Sequence, residues 1–500
     1  MNTWTNFFMI SGNMKEPRWT FINVLLIIAV TSTTLLGLSG FFTMGTDLWD
    51  GVIAAHAVNI DRPDIYHEWF GEAGLFFTPL IYDVIYYGHG LIGYEKLAKF
   101  FTILFLGLAS IEVSKIIKRY FQVPPSIANY AALLFFLSPA WVLYYSNIYL
   151  MHSFSLFLTL ICTRHLLERR LVWLTLPVLL LSFQQSSDAP LAISLILLSS
   201  VYIHTSTKER IINAAAIVFI VIGFFLLRKL FPTHGLYANY NKIDPQNILN
   251  IKDYLRYLKY FITLYFPFFA IATALIIFSR NFIMGKSLAI LIAGIMLNCV
   301  AYVAVGKIPY FSEIGSMHGE SLRFTFTSTV FAALLIPIVW QASAFYPKVR
   351  TPIIVALMIY ACTINIFAHQ GKMKEVLFQR GMIAELMKIP DLPECVVNIH
   401  SEGVAVLTIY EYGDIFYKAY GKTAHLILGA SLSPQDDSNK LYQDFPTERY
   451  RYKYFIPQQQ PSCTVGLNVK TNLAKLPLPS TLYHYFSGDN SDIVDLNPFR

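Results

Sequence analysis

Charge is scarce in this chain. Only 14% of its 500 residues are Asp, Glu, Lys or Arg, while 55% are hydrophobic. Soluble domains carry about 25% charged residues, so an ordinary soluble fold is excluded. The mean hydropathy of +0.49 agrees. Signature motifs are missing too. No Gly-rich phosphate loop, Walker element or HExxH occurs, which argues against a nucleotide-driven transporter and a zinc protease. Internal repeats and low-complexity segments are also absent. Cysteine is sparse, with five in all. Cys162, Cys299 and Cys362 sit inside apolar runs and read as small hydrophobes. Cys395 and Cys463 stand apart in the polar C-terminal stretch. In an oxidising compartment they either bond or remain two free thiols.

What the chain has is apolar runs. A bilayer core needs about 20 apolar residues per helix. Candidate spans are 20–43, 97–117, 127–146, 148–163, 171–184, 189–204, 211–230, 258–279, 287–306, 324–342 and 351–369. The reading is a mainly α, polytopic membrane protein of about eleven transmembrane helices. The short runs flanking "QQSSD" either span or form a re-entrant pair. The first run is too long for a cleaved signal peptide and lacks a small-residue cleavage site.

Basic residues cluster between runs. Lys15 and Arg18, then Lys115, Lys118 and Arg119, then Arg164, Arg169 and Arg170 fall on one side if every run spans. So do Lys208, Arg210, Arg280, Lys286, Lys348 and Arg350. That side is predicted to be cytoplasmic, because Lys and Arg are retained there. The net charge of +7 is therefore topological; no collected basic face points to nucleic acid. Arg228 and Lys229 break the pattern; they either snorkel or bind an anion. Segments 44–96, 231–257, 307–323 and the tail from 370 then lie outside. The tail changes character. Residues 372–388 have helical periodicity, while "CVVNI", "VAVLTI" and "AHLILGA" read as short strands. Residues 1–369 thus form the membrane domain and 370–500 a small α/β domain.

The first outer segment is too long for a simple turn. Residues 47–60 and 76–92 fit two helices lying on the membrane surface, the second rich in aromatics that favour that depth. Asp47 and Asp50 are three apart and share a face. Asp83 interrupts the second helix and is costly unless hydrogen-bonded or wet.

"DLWDGVIAAHA" and "TPLIYDVIYYGHGLIG" resemble the juxtamembrane elements of GT-C membrane glycosyltransferases. "LLLSFQQSSDAPLAISLILL" resembles that family's paired short helices, and "GESLRFTFTSTVFAALLIP" its outer loop entering the next span. The resemblance implies an inverting transfer of sugar from a polyprenyl-phosphate carrier to an extracytoplasmic glycan, lipid or protein. It implies a bacterial inner-membrane enzyme with a periplasmic tail, in plan like the O-antigen serotype-converting glucosyltransferases. An O-antigen or capsule polymerase, and a lipid-linked sugar flippase or transporter, are the alternatives.

Such chemistry needs a base for the acceptor hydroxyl and cations for the leaving phosphate. Asp50 ranks first as base and Asp47 second; otherwise both cap the surface helix. Trp49 and Trp69 stack on a sugar or anchor the interface. Asp188 and Gln185, in "QQSSD", line a polar floor or form a plain turn. Arg323, with His318 and Glu320, contacts phosphate or snorkels. Arg228 with Lys229, and Arg256 with Lys259, are further phosphate candidates. No motif demands a cofactor. A divalent cation could be approached by Asp47, Asp50 and His56, but their spacing is no recognisable cage. His152 and His165 do not fit one metal site.

Overall fold

The structure is a computed structural model describing residues 51–90, 92–170, 172–202, 207–238, 242–280, 282–311, 319–390, 392–402, 407, 409–428, 455, 461–489 and 492–499. Among the described residues it is mainly helical, with one small mixed sheet. The run 20–43 lies outside the described residues.

Among the described residues five helices are long and apolar enough to cross a membrane, or up to six if a bent pair counts as one. Three short helices come first: α1 (Gly51–Asn59), α2 (Asp64–Glu72) and α3 (Thr78–Gly88). The predicted surface pair thus gains a third member between them. The bundle follows with α4 (Tyr94–Phe121), α5 (Pro125–Phe136), α6 (Tyr149–Leu167), α7 (Val172–Ser182), α8 (Asp188–Tyr202) and α9 (Thr207–Leu230). Next come α10 (Pro245–Leu249), α11 (Ile251–Leu264), α12 (Phe266–Ser279), α13 (Phe282–Val303), α14 (Gly319–Arg323) and α15 (Thr329–Ala342).

Several apolar runs are not straight spans. The run 127–146 splits into α5 and a 3-10 stretch at Pro139–Tyr145. Pro139 stands at the start of that stretch, where its missing N–H leaves no ladder bond to break. The run 258–279 is cut at Tyr265, and its halves meet at 89°. Pro267 opens the second half, where a helix tolerates it best. α5, α8 and α15 are apolar but short for a crossing.

Side-chain bonds fix the directions of the helices. Ser110 Oγ donates to Ala132 O and Ser114 Oγ to Asn129 Oδ1, so α4 and α5 run antiparallel. Tyr82 OH donates to Asn147 O just before α6 starts, while Glu112 pairs with Arg164 near its end, so α4 and α6 run in the same sense. Arg169 donates to Glu209 O and to Asn213, at the start of α9. Gln341 Nε2 donates to Phe121 O, joining the ends of α15 and α4. Asn298 donates to Thr327 and Ser328, and Gly294 meets Phe331, so α13 and α15 are antiparallel. The clusters at 115–119, 164–170, 208–210, 280–286 and 348–350 therefore gather at one end of the bundle. This is the basic end.

Buried ions at that end are paired. Glu112 accepts from Arg164 and from Lys115 Nζ at 2.7 Å, and Arg164 also reaches Glu168 at 2.9 Å. Breaking such a pair leaves an uncompensated buried charge.

The opposite end carries a second core. α16 (Pro347–Leu386) starts at the basic end, where Arg350 donates to Trp340 O, and runs for 40 residues. It absorbs both the run 351–369 and the helix expected at 372–388, so no break occurs at 370. Its far half packs on a sheet of order β2-β1-β3-β4, built from β1 (Cys395–Glu402), β2 (His425–Leu428), β3 (Cys463–Thr471) and β4 (Val494–Phe499). β1 pairs parallel with β2 and β3, and β4 is antiparallel to β3. α17 (Ile409–Tyr420) is the crossover between β1 and β2 that a parallel pair requires. It takes up the end of the predicted strand "VAVLTI". α18 (Leu478–Ser487) precedes β4. Gly381 lets α16 touch β4: a Cβ there would stand 2.8 Å from Val494.

This core also takes in the first segment. Val52, Ile65, Trp69, Phe70 and Tyr82 pack in one cluster with Met373, Leu377, Ile399 and Phe416. Lys418 of α17 ties the two, bonding Asp414 at 2.9 Å and Glu95 of α4 at 3.4 Å. Burial pushes the Asp414 carboxyl above its ordinary range, and Lys418 pulls against that.

Cys395 and Cys463 are register partners on β1 and β3 and form a disulfide, with Cα atoms 4.4 Å apart. The bridge closes a separation of 68 residues. Removing it is expected to cost the tail about 2–4 kcal/mol. Thermal unfolding of Cys395→Ser/Cys463→Ser against wild type checks this; an unchanged midpoint would contradict it.

Candidate functional site

The turn between α7 and α8 is the pivot of the non-basic end. α7 ends with unsatisfied carbonyls, as every helix does. Arg228, near the end of α9, donates to Gln184 O at 2.9 Å, to Phe183 O at 3.4 Å and to Ser186 Oγ at 2.7 Å. A cation suits a helix C-terminus. This accounts for an arginine at the end opposite the basic clusters: it caps a neighbouring helix. Gln184 faces inward. Its Oε1 accepts from Thr78 Oγ1 of α3 at 2.8 Å, and its Nε2 donates to Ser155 of α6 at 3.2 Å. The first-segment helices are thereby fastened to the turn.

Asp188 opens α8 at 2% exposure. Its Oδ2 is buried without a hydrogen-bond partner; the hydroxyl of Thr159 is the polar group facing the carboxylate. Gln185 is buried too, and its Nε2 also lacks a partner. An unsatisfied buried polar group costs about 1–3 kcal/mol, more for a charge.

Tyr302, at the end of α13, brings the two sequence-predicted clusters together. Its hydroxyl interacts with Ser187 and Thr327, and it feels the charges of both Asp188 and Arg323. Arg323 ends α14 with its guanidinium 5.1 Å from the Phe324 ring centroid. The charges of Arg323 and Lys307 both reach His152 of α6, whose ring stands 5.6 Å from Phe326. Behind this, Asn298 donates to Thr327 at 2.9 Å and Ser328 at 2.8 Å, and Tyr257 donates to Phe324 O at 2.7 Å. The result is a polar cluster: one buried carboxylate, two cations, an imidazole, and hydroxyls held by a rear network.

Of the sequence-predicted residues, Asp188 and Arg323 both act on Tyr302 through their charges, and Gln185 lies in the same turn as Asp188. Trp69 does not. It is 3% exposed, stacks on Phe70 at 4.6 Å, and donates Nε1 to Tyr237 OH at 2.6 Å. A buried indole with its N–H satisfied has no face for a sugar, so the stacking role is corrected to a core role. His56 is likewise core, at 2% exposure against Tyr417 and Phe455. Among the described residues no group of three or more His, Cys, Asp or Glu side chains could hold a metal. Asp47, Trp49, Asp50 and His318 lie outside the described residues, and Glu320 is described only as part of α14.

Asp83 resolves its expected cost through bonds. Its Oδ1 accepts from Tyr66 OH at 2.7 Å and lies 2.7 Å from His67 Nε2. Burial and this carboxylate hold the Tyr66 phenol above its ordinary range.

Sequence reasoning missed Tyr302, Lys307 and Lys99. Lys99 is fully buried in α4, and its Nζ has no hydrogen-bond partner. Its signal was a lysine three residues into the run 97–117, one helical turn beyond Glu95.

No family model matches the chain, and neither a curated protein nor a solved structure shows significant similarity to it.

Arg228→Ala should loosen the turn that carries Asp188. Losing charge-assisted bonds to buried carbonyls is expected to destabilise by about 1.5–3 kcal/mol. Thermal unfolding in detergent checks this; no shift would mean water replaces the guanidinium freely.

Proposed function

We propose that the chain is a membrane glycosyltransferase of GT-C type in a bacterial inner membrane. It moves one sugar from a polyprenyl-phosphate carrier to an extracytoplasmic glycan, lipid or protein, with O-antigen or lipopolysaccharide modification the favoured setting. The observation that carries this reading is the polar cluster around Asp188 and Tyr302. It sits at the end away from the basic clusters, joined through Thr78–Gln184 to the first-segment helices. In this reading the short helices α5, α7, α8 and α15 complete about eleven crossings together with the run 20–43.

The acceptor O–H gives its proton to a first-segment carboxylate, Asp50 ahead of Asp47, as its oxygen bonds the anomeric carbon. The bond from that carbon to the phosphate oxygen breaks, and polyprenyl phosphate leaves with the electron pair. Arg323 and Lys307 stabilise that phosphate, because preorganised cations are worth most where charge develops. Asp188 orients hydroxyls of the sugar. His318, Glu320 and Trp49 are proposed as substrate contacts on the chemistry of their side chains alone.

A lipid-linked sugar flippase is the second reading, favoured by the buried Lys99 side chain, since polar groups inside spans line transport paths.

The test is transfer from a synthetic polyprenyl-phosphate sugar by purified enzyme. Loss of general-base assistance should lower the rate of Asp50→Asn or Asp47→Asn by roughly 10²–10⁴-fold. Arg323→Ala should raise the donor KM. Near-wild-type turnover in both Asn variants would sink the mechanism. Carrier movement across vesicles without any transfer would favour the flippase.

A further inference from the structure

α11 is unlike the other apolar helices. It meets α12 at 89°. α12 packs among the bundle helices, so α11 lies across the bundle's non-basic end. It is anchored there by Tyr257, which donates to Phe324 O at 2.7 Å, and by the preceding Asp244, whose N–H donates to Ala304 O at 2.9 Å. Its inner stripe is Asp253, Tyr257, Tyr260, Phe261 and Leu264.

The outer stripe is Ile251, Lys252, Leu255, Arg256 and Lys259, all exposed. Ile251 is 70% and Leu255 55% exposed, and Phe266 at the bend is 59% exposed. Ile251 and Leu255 stand one turn apart on the same exposed stripe. Three cations are interleaved with it. The single acid of the helix, Asp253, turns inward and is bonded by Asn250 Nδ2 at 2.7 Å and Arg256 Nη1 at 3.3 Å. Lys259 Nζ leans over the Phe311 ring at 4.2 Å.

We infer that α11 is an interfacial helix that docks on the anionic phospholipid headgroups of the leaflet around the non-basic end. Three features point to lipid together. The helix runs across the crossing helices. Its exposed side chains alternate apolar with cationic, so stems reach acyl chains while heads reach phosphates. The cations also stand at the end where the retention bias would remove them, so a local anionic partner accounts for them. This inference is independent of the transfer reaction.

The test uses the full chain with Leu255→Cys carrying an environment-sensitive fluorophore. It is reconstituted in vesicles of phosphatidylcholine alone or mixed with phosphatidylglycerol. Lipids brominated near the glycerol backbone serve as quenchers. Quenching is expected in both, about threefold stronger with phosphatidylglycerol at low salt. It should fall to the neutral-vesicle level in K252E/R256E/K259E. The Gln triple variant reads the same loss should the Glu variant fail to fold. Absent quenching, or quenching indifferent to lipid charge and to both triple variants, would overturn the inference. So would an equal gain from inorganic phosphate added to neutral vesicles, which would mark a site for free anions.

Discussion

Helix length is the constraint from which the rest follows. α16 runs for 40 residues, about 60 Å at 1.5 Å per residue. A bilayer core takes about 30 Å. Half the helix must therefore find its burial elsewhere. It does so by gathering the sheet on one flank and the first-segment helices on another. Met373, Leu377 and Met382 of α16 share a single core with Tyr66, Phe70, Val397 and Leu467. The loop after the first run and the C-terminal domain are thus one folded unit, and the membrane bundle holds it through Thr78 and Lys418.

Polar groups in the bundle obey a related constraint: each must be answered. At the basic end Glu112 and Arg164 answer one another. In the rear network Asn298 is answered by Thr327 and Ser328. The turn at 183–187 is answered by Arg228. Asp188 Oδ2, Gln185 Nε2 and Lys99 Nζ have no hydrogen-bond partner, and neither do Asn298 Oδ1, Arg169 Nε and several other buried atoms. Unanswered buried groups are expensive and collect where a ligand supplies the partner. Two of them, Asp188 and Gln185, share one turn beside Tyr302, and that placement is the physical ground for reading the polar cluster as a site.

Much of this was legible in the sequence. The apolar runs and basic clusters foretold a helical membrane protein and which clusters share an end. The lone pair Cys395 and Cys463 left a bridge and two free thiols both open, and the register of β1 and β3 makes the bridge. Asp188 and Arg323 were visible because a charge beside hydrocarbon is conspicuous. Other features were not legible. The bend at Tyr265 hides in a continuous apolar run, because hydropathy does not record direction. Trp69 read as an interface residue since its partner Tyr237 is 168 residues away. Tyr302 could not be singled out among 31 tyrosines, for only packing brings it between Ser187 and Thr327. α16 concealed a domain junction because its helical periodicity never falters.

The central claim is that the basic clusters and the joint loop–tail unit occupy opposite faces of a membrane. Single cysteines at two exposed positions test it most directly: Gly90, where a side chain meets nothing within 4 Å, and Lys208. In intact cells a membrane-impermeant thiol reagent should label Gly90→Cys at once. Lys208→Cys should react only after the membrane is opened. Labelling of both in intact cells, or the reverse order, would contradict the account.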